Sequence, residues 1–138
     1  MKTGFGYMVL FLLMLFLPFE TEGQSFIGLH KDEIPGLLKT VNPQFKLDRT
    51  AVNRTYNYLK FVDKVSEQTI LFFLSDTDVC TYVRWMADYA NLTDMTGMLN
   101  RKYRRNGPNS WTYSEKGENY SVTLVEEEWY FTVSFRKN

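Results

Sequence analysis

Aromatic side chains with carboxylates nearby are the residues of this sequence that could bind a small molecule. Aromatic residues make up 17% of the chain, and its three tryptophans each lie in a stretch that reads as a β-strand. An indole face attracts an ammonium group, and a carboxylate supplies the opposite charge. We therefore expect a ligand site with Trp85, Trp111, Trp129 and Tyr120 as its walls and Asp88 or Glu128 as the counter-charge.

Catalytic or metal-binding residue patterns are missing from the sequence. His30 is the sole histidine, and it lies in a segment that we expect to be poorly anchored. The sequence contains no Gly-x-Ser-x-Gly, His-Glu-x-x-His, Cys-x-x-Cys or phosphate-loop motif. We therefore predict a binding protein that is not an enzyme and that carries no metal or cofactor.

The first 23 residues have the pattern of a signal peptide. Lys2 precedes an apolar run at residues 7–19, which is shorter than the about 20 residues that a membrane-spanning helix needs. Small residues precede an expected cleavage site after Gly23. We predict a signal peptide at 1–23 and a single secreted domain at 24–138.

Three sites for N-linked sugar follow the signal peptide. Asn53, Asn91 and Asn119 each begin an Asn-x-Ser/Thr sequence. Together with secretion, these sites predict a glycoprotein with sugar on at least two of them, each facing water.

The first part of the domain contains the expected helix. Residues 25–43 carry two prolines and a glycine, which predicts a lead-in with at most a short helical turn around Leu37 and Leu38. Residues 46–65 place apolar side chains at spacings of three, four and seven, which is typical of a helix with one apolar face. Asp48 is the expected N-cap of that helix.

Short antiparallel strands are expected after Ser66, because the apolar residues change from helical spacing to alternation and turn residues recur. If Asn119 faces water, then Tyr120, Val122 and Leu124 point inward. The inward set of the final strand would be Trp129, Phe131, Val133 and Phe135. The expected strands are 69–74, 79–86, 98–104 (the weakest), 110–115, 119–126 and 128–135.

The segments "CTYVRWM" and "NGPNSWTYSEKGENYSVTLVEEEWY" resemble the amino-terminal part of the tick salivary lipocalins, the histamine-binding protein family. Cys80 and Tyr82 resemble an early cysteine and tyrosine of that family's barrel. The resemblance implies a salivary protein with a β-barrel that binds histamine. The family's acid-Ala-Trp element is absent from the expected helix, so no ligand residues of that helix are carried over. The family's barrel has eight strands, whereas five or six are expected here.

Cys80 is the only cysteine of the chain. In an oxidising compartment an unpaired cysteine is unusual. Cys80 is therefore a buried free thiol, an intermolecular bridge, or half of a disulfide whose partner was lost with a shortened carboxyl-terminal half.

The expected fold is mainly β with an N-terminal helix and an antiparallel meander, forming a lipocalin-like, incomplete barrel. The alternative is an α+β fold with a helix on a curved antiparallel sheet, as in cystatins. The expected function is sequestration of a biogenic amine (histamine or serotonin) or a lipid. The alternative is a secreted inhibitor or immune modulator that binds a host protein through its surface.

The charge balance argues against a nucleic acid partner, because 16 basic residues stand against 16 acidic ones. We also expect no membrane association once the signal peptide is removed. The basic cluster at 100–107 is either a solvated loop or a site for an anionic partner such as heparin.

Overall fold

The computed structural model of the protein describes residues 25–50 and 55–138. The expected signal peptide and Asn53 lie outside the described residues.

Two helices and eight antiparallel strands make up the described chain. Helix α1 is Ile34–Val41, and helix α2 is Leu92–Lys102, which follows a single 3-10 turn at Tyr89–Asn91. The strands are β1 (Lys46–Leu47), β2 (Tyr58–Asp63), β3 (Gln68–Leu74), β4 (Cys80–Asp88), β5 (Arg104–Gly107), β6 (Ser110–Glu115), β7 (Glu118–Glu126) and β8 (Tyr130–Lys137).

The eight strands form one open sheet in the order β1-β2-β3-β4-β8-β7-β6-β5. Each half of the chain therefore contributes one helix followed by a four-stranded antiparallel meander. The halves meet where β4 pairs antiparallel with β8, with Trp85 opposite Val133. This arrangement confirms a mainly β, antiparallel fold with an N-terminal helix, and it is compatible with both an incomplete lipocalin-like barrel and a helix-on-sheet fold.

Both helices pack on the same face of the sheet. Each of them does so through two buried apolar residues that are four positions apart. Helix α1 buries Ile34 and Leu38, and helix α2 buries Met95 and Leu99. Residues four apart lie one above the other on a helix, so each pair forms a short apolar stripe.

Two apolar cores lie beneath the helices, one for each half of the sheet. The half-buried side chains of Trp85 and Phe135 pack against both cores and so connect them. The first core contains Ile34, Leu38, Phe45, Phe61, Ile70, Phe72, Cys80 and Val83. The second contains Ala87, Met95, Leu99, Trp111, Val122, Leu124, Phe131 and Val133.

The helix predicted for residues 46–65 is wrong in its described part. These residues instead contain strands β1 and β2, and Phe61 of β2 pairs with Ile70 of β3. The aromatic and β-branched residues of this segment suit a strand, and pairing with β3 satisfies its backbone. Asp48 caps no helix, since its carboxylate accepts hydrogen bonds from the backbone N–H and the hydroxyl of Thr50 at 3.0 and 2.6 Å.

Two other expectations about local structure are also wrong. Residues 98–102 belong to helix α2 rather than to a strand, and β5 begins only at Arg104. The lead-in is anchored, because the Gly28 N–H donates to the Cys80 carbonyl at 2.7 Å and His30 pairs with Val79. The short helical turn expected around Leu37 and Leu38 is confirmed as part of α1.

The predicted faces of β7 are confirmed. Tyr120, Val122 and Leu124 are buried, whereas Asn119 and Thr123 are exposed. The preceding hairpin is fixed by a two-residue turn in which Lys116 and Gly117 have φ angles of 51° and 78°. Positive φ at both central residues is the type I′ geometry that suits the twist of the flanking strands.

The predicted start of the final strand, at residue 128, is wrong. Strand β8 begins at Tyr130, and the side chain of Trp129 is 78% exposed in the turn before it. Phe131 and Val133 are buried as expected.

Cys80 is a buried free thiol with 1% of its surface exposed. Its Sγ lies 3.6 Å from the Tyr82 carbonyl oxygen. Burial raises the pKa of the thiol from 9.0 to about 11. Of the three alternatives, this burial fits the free thiol and leaves no accessible sulfur for an intermolecular bridge.

Candidate functional site

A cavity of about 570 Å³ lies between the two helices and the face of the sheet that they cover. Both halves of the chain contribute to its walls, so the cavity exists only when β4 and β8 are paired. Its apolar lining consists of Phe26, Leu37, Leu38, Val41, Ile70, Phe72, Val83, Trp85, Met98, Tyr103, Tyr113 and Phe135. The polar lining residues are Ser25, Thr40, Asn42 and Lys102.

The two helices line the cavity with matching positions. When the buried Leu38 of α1 is aligned with the buried Leu99 of α2, Leu37 corresponds to Met98 and Val41 to Lys102. All four of these neighbours of the aligned leucines line the cavity. Val41 in α1 is apolar, whereas the corresponding residue in α2, Lys102, is charged. The two sides of the cavity therefore differ chemically.

Trp85 lies at the junction of the two halves and is held in place by a chain of amides. Its indole N–H donates to Oε1 of Gln68 at 2.8 Å, and Nε2 of Gln68 donates to Oδ1 of Asn91 at 3.3 Å. The Phe45 ring meets the indole edge to face at 5.9 Å. Trp85 is therefore fixed with part of its surface exposed to the cavity.

Tyrosines form the wall on the side of the second half. The rings of Tyr103 and Tyr113 are 4.7 Å apart, and Tyr113 stacks on Tyr120 at 4.8 Å. The Tyr113 hydroxyl donates to Oγ of Ser25 at 3.1 Å. Burial raises the pKa of Tyr113 to about 12 and raises the pKa of Tyr103 as well. Both phenols therefore stay neutral at physiological pH.

The described lining of the cavity contains no carboxylate. Among the described lining residues, Lys102 alone carries a charge, and it is cationic. An ammonium ligand would therefore find aromatic faces here but no opposite charge in the described part of the wall.

Of the six predicted ligand residues, only Trp85 lines this cavity. Trp111 is buried behind the wall, with 1% of its surface exposed, and its indole N–H donates to Oδ1 of Asn100 at 2.9 Å. Tyr120 is buried beneath Tyr113. Both residues therefore lie behind the wall and do not line the cavity.

The other three predicted residues lie at a different end of the sheet. Asp88 and Trp129 line a shallow depression of about 320 Å³, and Glu128 is exposed in the turn beside Trp129. The Asp88 carboxylate accepts a hydrogen bond from the Ala90 N–H at 2.8 Å, so it caps the 3-10 turn. Asp88 and Trp129 are thus brought together, but away from the cavity that Trp85 lines.

Sequence reasoning missed the contributions of both helices and of Tyr113. One signal was present, because Tyr113 alternates with Trp111 along β6 and therefore shares its face. The sequence did not reveal the contribution of α1. Residues 46–65 have the stronger helical pattern, so the helix was predicted there instead.

Asn91 and Asn119 differ in their suitability for N-glycosylation. The side chain of Asn91 is half-buried, and its Nδ2 donates to the carbonyls of Ser66 and Asp88 at 2.8 and 3.3 Å. Nδ2 is the atom that carries the sugar, so a glycan on Asn91 would break these bonds. Asn119 is exposed, and only its Oδ1 is engaged, by the Ser114 hydroxyl.

We expect Asn119 to carry sugar and Asn91 to carry none when the chain is expressed through a secretory pathway. Asn119→Gln should remove one glycan mass, whereas Asn91→Gln should leave the mass of the glycans unchanged. Asn91→Gln should instead lower the free energy of unfolding by about 0.5–1.5 kcal/mol, because two half-buried carbonyls lose their donor. Mass spectrometry before and after deglycosylation is the measurement. Sugar on Asn91 would contradict the structural assignment.

The described residues contain no cluster of three His, Cys, Asp or Glu side chains that could hold a metal ion. Within residues 25–50 and 55–138, no helix has the length and apolar character to cross a bilayer. No protein-family model, curated protein or solved structure matches this chain.

Proposed function

We propose that the protein is a secreted binding protein that holds a small, largely apolar molecule, such as a lipid, in the cavity between α1 and α2. The observation that carries this proposal is the cavity of about 570 Å³ with its mainly aliphatic and aromatic wall. Sites for small ligands have volumes of roughly 300–1,000 Å³, apolar walls and a few polar groups. Sequestration or transport requires binding alone, so no catalytic group is needed.

Of the two ligand classes expected from the sequence, the cavity favours a lipid over a biogenic amine. A buried ammonium needs a carboxylate or several acceptors to offset its loss of hydration. The described lining supplies lysine instead of a carboxylate. The resemblance to the histamine-binding lipocalins stays a prediction, and so does a salivary origin.

A leucine of the wall provides the test of this proposal. Leu37→Trp should fill part of the cavity and weaken binding of a dansyl-labelled fatty acid at least about tenfold, which is about 1.4 kcal/mol. Lys39→Trp is the matched control, because Lys39 is an exposed residue of the same helix that does not line the cavity. Circular dichroism and urea unfolding would establish that both variants fold.

Calorimetric titration of the unmodified protein with histamine, serotonin and an unlabelled fatty acid completes the test. We expect heat from the fatty acid and none from the two amines at up to about 1 mM, where a site of −4 kcal/mol would be half filled. If Leu37→Trp binds the labelled fatty acid as tightly as Lys39→Trp, the cavity is not the site.

A second function has one observation in its favour, which is the exposed aromatic surface at the β7–β8 turn. Trp129 is 78% exposed and Tyr130 is 38% exposed. Tryptophan side chains in folded proteins are usually largely buried. Exposed tryptophan and tyrosine are common anchors in protein interfaces. A protein-binding modulator that uses this turn would lose its partner on Trp129→Ala, whereas ligand binding in the cavity would be unchanged.

A further inference from the structure

We infer that the outer face of the sheet, the side that carries neither helix, binds another protein through an acidic side chain that pairs with Arg84. The outer face is formed by the residues that alternate with the core residues of β3, β4 and β8. It lies on the opposite side of the sheet from the cavity, so this inference goes beyond the proposed function and does not depend on it.

Two buried polar atoms on the outer face lack a hydrogen-bond partner. Among the described residues, the buried side-chain atoms without a partner are Nε of Arg84 and Oγ1 of Thr132. Arg84 lies opposite Ser134, and Thr132 is two residues before Ser134 on the same strand, so the two residues are diagonal neighbours. A buried polar group without a hydrogen bond costs free energy and is rare in folded proteins. The adjacency of two such groups indicates that another molecule completes this face.

Arg84 presents an unneutralised positive charge among apolar and hydroxyl side chains. Ion pairs between described residues all involve other cations, and the terminal nitrogens of Arg84 make no hydrogen bond there. Leu71 and Ser134 lie opposite Arg84, and Tyr82 and Met86 lie two residues away along β4. None of them is acidic. A carboxylate that reaches the guanidinium would form two parallel, charge-assisted hydrogen bonds.

An aromatic row flanks Arg84 on one side. Tyr58, Phe73 and Tyr82 lie in register across three strands, with ring centroids 5.9 and 5.3 Å apart. The guanidinium of Arg136 lies 5.1 Å from the Tyr82 ring. Tyrosine, phenylalanine and arginine are enriched in protein interfaces, and tyrosine and arginine contribute many of the residues that dominate binding. The composition of the row therefore favours a protein as the partner.

The shallow depression beside Trp129 flanks Arg84 on the other side. Met86 lines it and shares a face with Arg84, and Glu67 and Asp88 give it negative charge. Asp88 is four residues from Arg84 on β4, which places their backbones about 13 Å apart. A complementary partner presents an acidic side chain to Arg84 and a basic or apolar side chain to the depression.

This alternation of charge argues against two other occupants. A polyanion such as heparin would be repelled by Glu67 and Asp88, and it could not use Lys60 freely, because Lys60 already pairs with Asp48 at 3.5 Å. A second copy of this chain, related by a two-fold axis at the centre of the face, would place two Arg84 cations against each other. A different protein with an acidic side chain avoids both repulsions.

The stability of two variants tests whether these groups serve binding instead of folding. Arg84→Met and Thr132→Val keep the approximate shape of each side chain and remove its unsatisfied polar atom. We expect both variants to raise the urea midpoint of unfolding, because replacing an unpaired buried polar group by an apolar one stabilises the free chain. A lower midpoint for both variants would overturn the inference, since the groups would then be structural.

Selection of peptides from a phage-displayed library of random linear sequences, on the immobilised protein, tests the binding itself. The selected peptides should share an acidic residue, and Arg84→Met should weaken their binding at least about tenfold. Arg101→Gln is the matched control, because it removes the same charge from an exposed position of helix α2, on the helix-bearing side of the sheet. Its affinity should equal that of the unmodified protein.

A charge exchange identifies the contact. A synthetic copy of a selected peptide with arginine in place of its acid should lose binding to the unmodified protein and recover it with Arg84→Glu. Peptides that bind Arg84→Met undiminished would overturn the inference. So would binding of heparin that Arg84→Met abolishes, which would assign the face to a polyanion, or a dimer in light scattering that this variant dissociates, which would assign it to a second copy.

Discussion

Replacing Trp111 by alanine is expected to lower the free energy of unfolding by about 3–5 kcal/mol. Trp111 has 1% of its surface exposed and is among the largest fully buried side chains of the described residues. It lies opposite Val122 on β7 and packs in the second core, and its indole N–H donates to Asn100 of α2. Alanine would leave a cavity in the second core, and the lost contacts destabilise the folded state.

Trp129→Ala is the control for this prediction. Trp129 is 78% exposed, so its removal should change the unfolding free energy by no more than about 0.5 kcal/mol. Urea unfolding monitored by circular dichroism measures both variants on the same scale. A small loss for Trp111→Ala, or a comparable loss for Trp129→Ala, would contradict the positions of these two side chains.

The second large effect is a loss of stability in alkaline solution, beginning near pH 9. Burial raises the pKa of Cys80 from 9.0 to about 11, so the unfolded chain releases this proton at a lower pH than the folded chain does. The folded state therefore has its full stability below pH 9 and loses it as the pH rises toward 11. Each such group lowers the unfolding free energy by about 1.4 kcal/mol per pH unit within its window, so Cys80 accounts for about 2–3 kcal/mol.

Two half-buried tyrosines of the cavity wall extend this loss to higher pH. Burial raises the pKa of Tyr113 from 10.0 to about 12 and also raises that of Tyr103, so both contribute in the same direction above pH 10. Cys80→Ala should cost about 1 kcal/mol at neutral pH, and it should flatten the decline between pH 9 and 10. Tyr113→Phe should flatten only the part above pH 10.

Urea unfolding at a series of pH values from 7 to 11, for the unmodified protein and both variants, is the measurement. A native thiol that reacts with a disulfide reagent at pH 8 as fast as the unfolded chain would show that Cys80 is accessible. Unchanged stability from pH 8 to 11 would contradict the burial of all three groups.

Several local features of this protein could be read from single stretches of sequence. The alternation of polar and apolar residues in β7 predicted that Tyr120, Val122 and Leu124 point inward, and all three are buried. The expected strands 69–74 and 79–86 correspond closely to β3 and β4, which pair antiparallel across the turn between them. These features depend on side-chain alternation and turn chemistry, which act over a few residues.

The positions of the helices were harder to read, because short segments fit two periods. Residues 58–63 contain apolar side chains that match a helical stripe and also a strand. Pairing with β3 decided for the strand, since Phe61 and Ile70 then share a buried face. Propensity over so few residues is weak compared with this tertiary packing.

The candidate site depended most on tertiary structure. The aromatic content led to the prediction of a ligand site, and of its predicted wall residues Trp85 lines the cavity. Trp111, Tyr120 and Trp129 were predicted as wall residues on the same grounds. Trp111 and Tyr120 are instead buried behind the wall, and Trp129 is exposed elsewhere. The sequence by itself determined several strands, the side chains that point inward from them and the high aromatic content. The pairing of β4 with β8 decided which of these residues surround a cavity, because it joins segments far apart in sequence whose contact no local pattern specifies.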